Sequence, residues 1–125
     1  MGKSAPEGWR TVTPRIVVTD VTEVQKLIDF LKQTFDATGD FRDAGPSEIR
    51  IGDSIVMVSD GGGLRDTMTA FLYVYVEDAD STYRRAVEAG AISLESPRDL
   101  PYGDRRGMVR DVWGNIWQIA TRKQT

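Results

Sequence analysis

The residues able to carry chemistry form a narrow set, because the chain has neither histidine nor cysteine. Their absence removes the imidazole and thiolate donors of ordinary transition-metal centres, the thiol nucleophile and any disulfide. General acid–base work would fall to Asp, Glu, Tyr or Lys with displaced pKa values. Asp104 and Asp111 are candidates by position. Loop ends and hairpin turns also hold Asp for structural reasons, and that reading is preferred. No Ser or Thr has a visible base beside it, so no catalytic residue is assigned. Arg106 and Arg110 alternate with Met108 on one strand face, where a guanidinium fork could hold an anion or a planar acceptor. Solvation, or pairing with Asp104 or Asp111, explains them equally well. Trp117 reads as core. Trp113 stays open between core and stacking platform, and Trp9 could cover a cavity mouth or a partner subunit. Gly61-Gly62-Gly63 lacks the Lys-Ser/Thr of a phosphate loop and reads as linker.

These residues sit in an ordinary globular composition. The chain has 125 residues, 40% hydrophobic and 28% charged, enough for one domain with its own core. A net charge of −3 argues against a non-specific nucleic-acid binder, which would show a basic face. It suits a cationic small molecule. No apolar run approaches the roughly 18 residues of a membrane span, and Met1–Glu7 lacks the apolar core of a signal peptide. A soluble, cytoplasmic protein is expected, with no membrane or nucleic-acid partner.

The elements that must position the candidates follow from periodicity. Val12 to Val18 is a β-branched strand. Asp20 or Thr22 can cap a helix whose apolar stripe is Val24, Leu27, Ile28, Leu31 and Phe35, ending near Thr38-Gly39. Glu48–Ile51 and Ser54–Ser59 are strands joined through Gly52-Asp53. Ala70–Val76 is a strand, and Asp78 or Asp80 can cap a helix stopped by Gly90. Ala91–Leu94 is a short strand, Ser96–Asp104 a loop, and Arg106–Asp111 and Asn115–Thr121 a hairpin. The order strand, helix, short strand, hairpin thus occurs twice. Val18-Thr19-Asp20 and Val76-Glu77-Asp78 fix the offset at 58, and the last strands align Met57 with Gln118. The expected organisation is a flexible tail over 1–9 and a single domain over 10–125. Its first module covers about 10–60, its linker 61–69 and its second module about 70–122.

Alternation divides the strand faces. Leu72, Val74, Val56, Val58, Trp117 and Ile119 suit the helix side. Phe71, Tyr73 and Tyr75 form an aromatic row on the other side, with Thr13, Arg15, Val17, Met57 and Gln118 on matching faces. Rings with hydroxyl tips suit a cavity wall or a wet interface. The row suits core or dimer contact as well.

The paired modules, the Leu27-Ile28-Asp29-Phe30-Leu31 stretch and the run from Pro101-Tyr102-Gly103-Asp104 through Trp113-Gly114-Asn115-Ile116-Trp117 resemble the vicinal oxygen chelate superfamily. That superfamily includes glyoxalase I, bleomycin-resistance proteins and extradiol dioxygenases. The C-terminal run is most similar to its PhnB-like, glyoxalase-family branch. The resemblance spans about residues 10 to 122. It implies an α+β fold of two βαβββ modules whose sheets curl around a cavity, usually in a homodimer. It also implies four metal-ligand positions, which fall on Thr13, Met57, Phe71 and Gln118. A hydroxyl, a thioether, a phenyl ring and an amide are not a donor set for Zn, Fe or Ni.

The expectation is therefore a metal-free binding protein without cofactor, leaning away from an enzyme. It would sequester an aromatic or heterocyclic molecule, such as an antibiotic or secondary metabolite. The expected ligand-binding residues are Arg15, Val17, Met57, Phe71, Tyr73, Tyr75, Tyr102, Met108, Arg110, Trp113 and Gln118. Rings and Met supply area, and a few polar ends supply orientation. The alternative is a glyoxalase- or dioxygenase-like enzyme, or a metal-free lyase or isomerase, of the same fold. A third reading is an interaction protein whose aromatic face is a dimer seam.

Overall fold

Asp20 starts the first helix by accepting a hydrogen bond from the Glu23 backbone N–H at 3.0 Å, which satisfies one donor of a first turn that has no intrahelical partner. The structure, a computed structural model, describes residues 4–62 and 66–123. The first three residues of the expected tail and residues 63–65 of the expected linker, with its third glycine, lie outside the described residues. The chain divides into two units, Met1–Lys32 with Asp36–Met68 and Gln33–Phe35 with Thr69–Thr125.

The first unit runs β1 (Arg15–Val18), α1 (Val21–Phe35), β2 (Ser47–Ile51) and β3 (Ser54–Asp60). Its sheet has the order β1-β3-β2, with β1 parallel and β2 antiparallel to β3. The stripe expected on α1 is buried throughout, as are Ile16, Val18, Val56 and Val58. Helix α1 ends earlier than Thr38-Gly39, because Asp36 adopts a left-handed φ of 56° and returns its N–H to the Lys32 carbonyl. The expected first strand is shorter at its start, since Pro14 has no N–H to pair; its carbonyl still accepts from Met57 N at 2.9 Å. On the far edge of β1, Met68 forms an antiparallel bridge with Val17.

The second unit runs β4 (Phe71–Tyr75), α2 (Ala79–Glu88), β5 (Ile92–Asp99), β6 (Asp104–Arg110) and β7 (Ile116–Arg122). The sheet order is β4-β7-β6-β5, with β4 parallel to β7 and the others antiparallel. Asp78 caps α2 through Ser81 N. Trp117, Ile119, Val109 and Ala86 are fully buried, and the Phe35 ring lies 5.2 Å from Trp117. Strand β5 is longer than expected. It continues through Ser96-Pro97, where the pairing slips in register between Glu95 and Arg98. An edge strand accommodates a proline that a central strand would reject.

The strand registers carry the repeat. Arg15 pairs with Met57 and Tyr73 with Gln118, which is the offset of 58 in the first strand with Met57 opposite Gln118 in the last. The copies differ at one element. The counterpart of β5 in the first unit is reduced to the single bridge Thr38↔Arg50, so that unit is a βαββ sheet with one residue of a fourth strand.

Candidate functional site

One face of the second sheet collects most of the candidates. Pairing places Phe71 beside Ile116, Tyr73 beside Gln118 and Tyr75 beside Ala120. On the other side of β7, Met108 lies opposite Gln118, Arg106 opposite Ala120 and Asp104 opposite Arg122. Phe71 is 67% exposed, Tyr75 58% and Tyr73 37%, whereas Ala120 beneath them is fully buried.

The tyrosines are anchored at their tips. Strands β4 and β6 are separated by β7, yet Tyr73 donates its hydroxyl to Asp104 Oδ2 at 2.6 Å and Tyr75 donates to the same oxygen at 2.8 Å. Both phenols therefore reach across β7, and the small Ala120 leaves room for them. Their rings are 5.3 Å apart and tilted by 55°, a favourable arrangement for two π systems. Tyr102, in the turn before β6, brings its hydroxyl to 3.0 Å from that of Tyr73. Arg122 Nε stands 3.3 Å from Asp104 Oδ1, and its Nη1 donates to the Tyr102 carbonyl. Gly103 keeps this turn tight. Its φ is +106°, and a side chain there would collide with the Arg122 guanidinium.

The electrostatics follow from the bonding. The Tyr73 hydroxyl holds the Asp104 carboxyl below the usual carboxylate range. Burial opposes that shift, and Tyr75 and Arg122 reinforce it. Burial and then the bond to Asp104 push Tyr73 well above the ordinary phenol value. Tyr75 is raised chiefly by its own bond to Asp104. The result is an ionised carboxylate held by neutral phenols. It has no open coordination position toward solvent.

Other candidates divide by location. Met108 and Gln118 are half-buried in the middle of this face, and Arg110 is exposed at its far end, opposite Ile92 and Ile116. Trp113 is not on the face. It sits half-buried in the β6–β7 turn, with its backbone N–H on Asp111 Oδ1. In the first unit Arg15 is exposed and donates to Ser59 Oγ at 3.2 Å, Met57 is half-buried opposite it, and Val17 is buried at 4% exposure. Asp111 has the structural role expected of it, accepting from the backbone N–H groups of Trp113 and Asn115, from Asn115 Nδ2 and from Trp117 Nε1. Asp104 also has a structural role, opening β6 as the acceptor shared by Tyr73 and Tyr75. Sequence reasoning names Asp104 as a candidate but reads it as a loop-end residue, because it starts the strand at Arg106. It misses Arg122 because it ends the last strand at Thr121. Extending the alternation back by two residues places Asp104 on the face of Met108 and Arg110.

A metal does not fit the family's ligand positions in this chain. Thr13 and Phe71 offer a hydroxyl and a ring, and Met57 and Gln118 a thioether and an amide. Among the described residues no three His, Cys, Asp or Glu side chains gather into a metal-holding group.

Comparison with known proteins agrees with the fold. TioX from Micromonospora sp. ML1 superposes with a TM-score of 0.74 at 23% identity, covering 90% of this chain and 98% of that one. A glyoxalase/bleomycin resistance protein/dioxygenase family enzyme from Burkholderia phytofirmans PsJN gives 0.73 at 16% identity, over 88% and 96% of the two chains. An uncharacterized protein of Mycobacterium bovis is 31% identical over 126 aligned residues, 87% of this chain and 81% of that protein. A Mycobacterium tuberculosis counterpart has the same identity over 87% of this chain and 72% of its own length. The family model that matches covers residues 16–119, and the chain belongs to the glyoxalase/bleomycin resistance protein/dioxygenase superfamily.

Proposed function

We propose that the protein binds and sequesters a planar aromatic or heterocyclic small molecule, in the manner of bleomycin-resistance members of its superfamily, without a metal or other cofactor. An antibiotic or another secondary metabolite is the kind of ligand meant, and a homodimer in solution is part of the reading. The observation that carries it is the exposed aromatic row, Phe71, Tyr73 and Tyr75 with Tyr102, pinned at the tyrosine tips. Aromatic area left in water is costly unless something covers it. Rings already fixed lose little freedom when a ligand stacks on them. Met108, Gln118 and Arg110 extend the proposed binding surface along the same face of the second unit; Arg15, Val17 and Met57 of the first unit and Trp113 of the β6–β7 turn are not part of it. The run from Pro101 to Trp117 supports placing the chain in the PhnB-like branch.

The test is a panel of planar aromatics titrated into the protein, read by tryptophan fluorescence and melting temperature. A ligand that binds only the folded state stabilises it by about 2.7 kcal/mol at a hundredfold excess over its Kd. A shift of several degrees is expected for at least one scaffold. No shift across the panel, with the aromatic face protected inside a dimer, would replace this reading with that of a self-association surface.

A further inference from the structure

The aromatic face of the second sheet carries the opposite charge from the whole chain. Helix α2 covers the other face: Arg105 of β6 reaches Asp80 on the helix, and a side chain at Gly107 would strike Tyr83. Asp104, Arg106, Met108 and Arg110 alternate away from the helix. The cross-strand rows add Arg122 beside Asp104, Glu95 beside Met108 and Arg98 beside Arg106. Four arginines thus share the face with two carboxylates, in a chain whose net charge is −3. Both carboxylates are already divided. Glu95 pairs with Arg106 at 2.7 Å and with Arg98 at 3.3 Å. Asp104 takes two phenol protons and stands against Arg122 Nε. The Arg106 side chain is 11% exposed, and its Nε is buried with no acceptor among the described residues, so a nearly buried cation is only partly compensated. Arg110 is exposed at the end of the face, and its guanidinium has no hydrogen bond or ion pair among the described residues.

We infer that Arg110 is the specificity-determining residue of this face and receives the acid group of a planar aromatic acid, such as an aromatic carboxylate. The inference rests on the aromatic-ligand reading above and narrows it to anionic ligands. Phe71, Ile116 and Arg110 form one cross-strand row, with Ile92 on the far side of Arg110. Two strand spacings put the Phe71 and Arg110 backbones about 10 Å apart. A ring stacked on Phe71 therefore directs an acid group at its edge along the row to the guanidinium. The planar fork meets two carboxylate oxygens side by side. An ion pair in open water contributes little. This one is flanked by Phe71, Ile116 and Ile92, and a ligand ring that covers them removes water from around the pair and strengthens the attraction. The partly compensated charge of Arg106 adds to the field that draws an anion, although its Nε is too deeply buried to touch the ligand. A cationic ring, which the net charge of the chain would suit, meets like charge here.

The test compares 2-naphthoate with 2-naphthamide, which share their rings and differ by one charge, by NMR titration of protein with labelled Phe and Tyr rings at neutral pH. The parent should bind the acid about tenfold more tightly, the weight of one bidentate charge-assisted contact. Arg110→Gln should bring the two probes within about twofold of each other. Arg110→Lys keeps the charge without the fork, and its preference should fall to about threefold; it keeps the test readable if Arg110→Gln does not fold. Arg84→Gln removes the same charge from an exposed position on α2, across the sheet from this face, and should leave the preference intact. A preference undiminished in the Arg110 variants, or one lost equally in Arg84→Gln, would overturn the inference. Equal binding of both probes by the parent would overturn it while leaving the aromatic-ligand reading standing. Binding of neither at millimolar concentration would remove both.

Discussion

Replacing Asp111 by alanine should be among the most damaging changes in the second unit. Its carboxylate accepts four hydrogen bonds of 2.9–3.0 Å, from the backbone N–H groups of Trp113 and Asn115, from Asn115 Nδ2 and from Trp117 Nε1. Trp117 and Asn115 are fully buried, so three of these donors lose their acceptor away from water. Each costs about 1–3 kcal/mol when left unsatisfied. Partial entry of water into the vacated space reduces the sum to about 3–5 kcal/mol. At roughly 3–6 °C per kcal/mol for a domain of this size, the melting temperature should drop by about 10–25 °C. The damage reaches the aromatic face, because Asn115 Oδ1 also accepts from Ala70 N at 2.8 Å and so holds the start of β4 against β7. Asp111→Asn should cost about half as much, since one oxygen still accepts the two backbone N–H groups while an amide faces the two side-chain donors. The assay is urea unfolding, with a fall in midpoint at unchanged m-value. An Asp111→Ala protein within about 1 kcal/mol of the parent would refute the account of this turn.

Four further outcomes are expected. Gly39→Ala should destabilise the first unit by about 1–3 kcal/mol, because φ is +123° and the added Cβ would lie 2.5 Å from the Glu48 carbonyl; chemical denaturation measures it. Alkaline titration followed at the phenolate absorbance should show Tyr73 and Tyr75 ionising late. Their raised values give stability that is full below about pH 10, the unfolded phenol value, and is lost as pH rises above it. On the acid side Asp80, Asp99 and Asp104 are held low, the first two by hydrogen bonds from Arg105 and Lys123 respectively. Their contribution is present above about pH 4 and is lost as pH falls through the lower folded values, so melting temperature should decline below pH 4 and not between pH 7 and 5. Dialysis against a strong chelator should change neither the melting temperature nor binding of an aromatic ligand; stoichiometric metal surviving it would count against the proposed function.

The elements were legible where one local signal dominated. The α1 stripe and the caps Asp20 and Asp78 could be read because a 3.6-residue period and a short oxygen side chain act over one or two turns. The offset of 58 reappears in the strand registers because both copies solve the same packing problem. Boundaries set by tertiary pairing were less visible. Strand β5 runs on through Pro97 because it is an edge, and being an edge is a property of the sheet order and not of the residues. The helix end expected near Thr38-Gly39 comes earlier because Asp36 turns the chain, and Thr38 is left to bridge Arg50. Tyr73 and Tyr75 could be placed on one face by parity alone. Asp104 could not be assigned as their common acceptor until β7 was known to lie between β4 and β6.

The central claim is that the aromatic face of the second unit holds a planar ligand without metal. Its most direct measurement is an NMR titration of protein with labelled Phe and Tyr rings, in the presence of chelator, using whichever aromatic most raises the melting temperature. Saturable shifts concentrated on Phe71, Tyr73, Tyr75 and Tyr102, with Tyr83 and the other phenylalanines unmoved, are the predicted result. Saturable binding that leaves these four rings unperturbed, or that requires a divalent metal to appear at all, would contradict it.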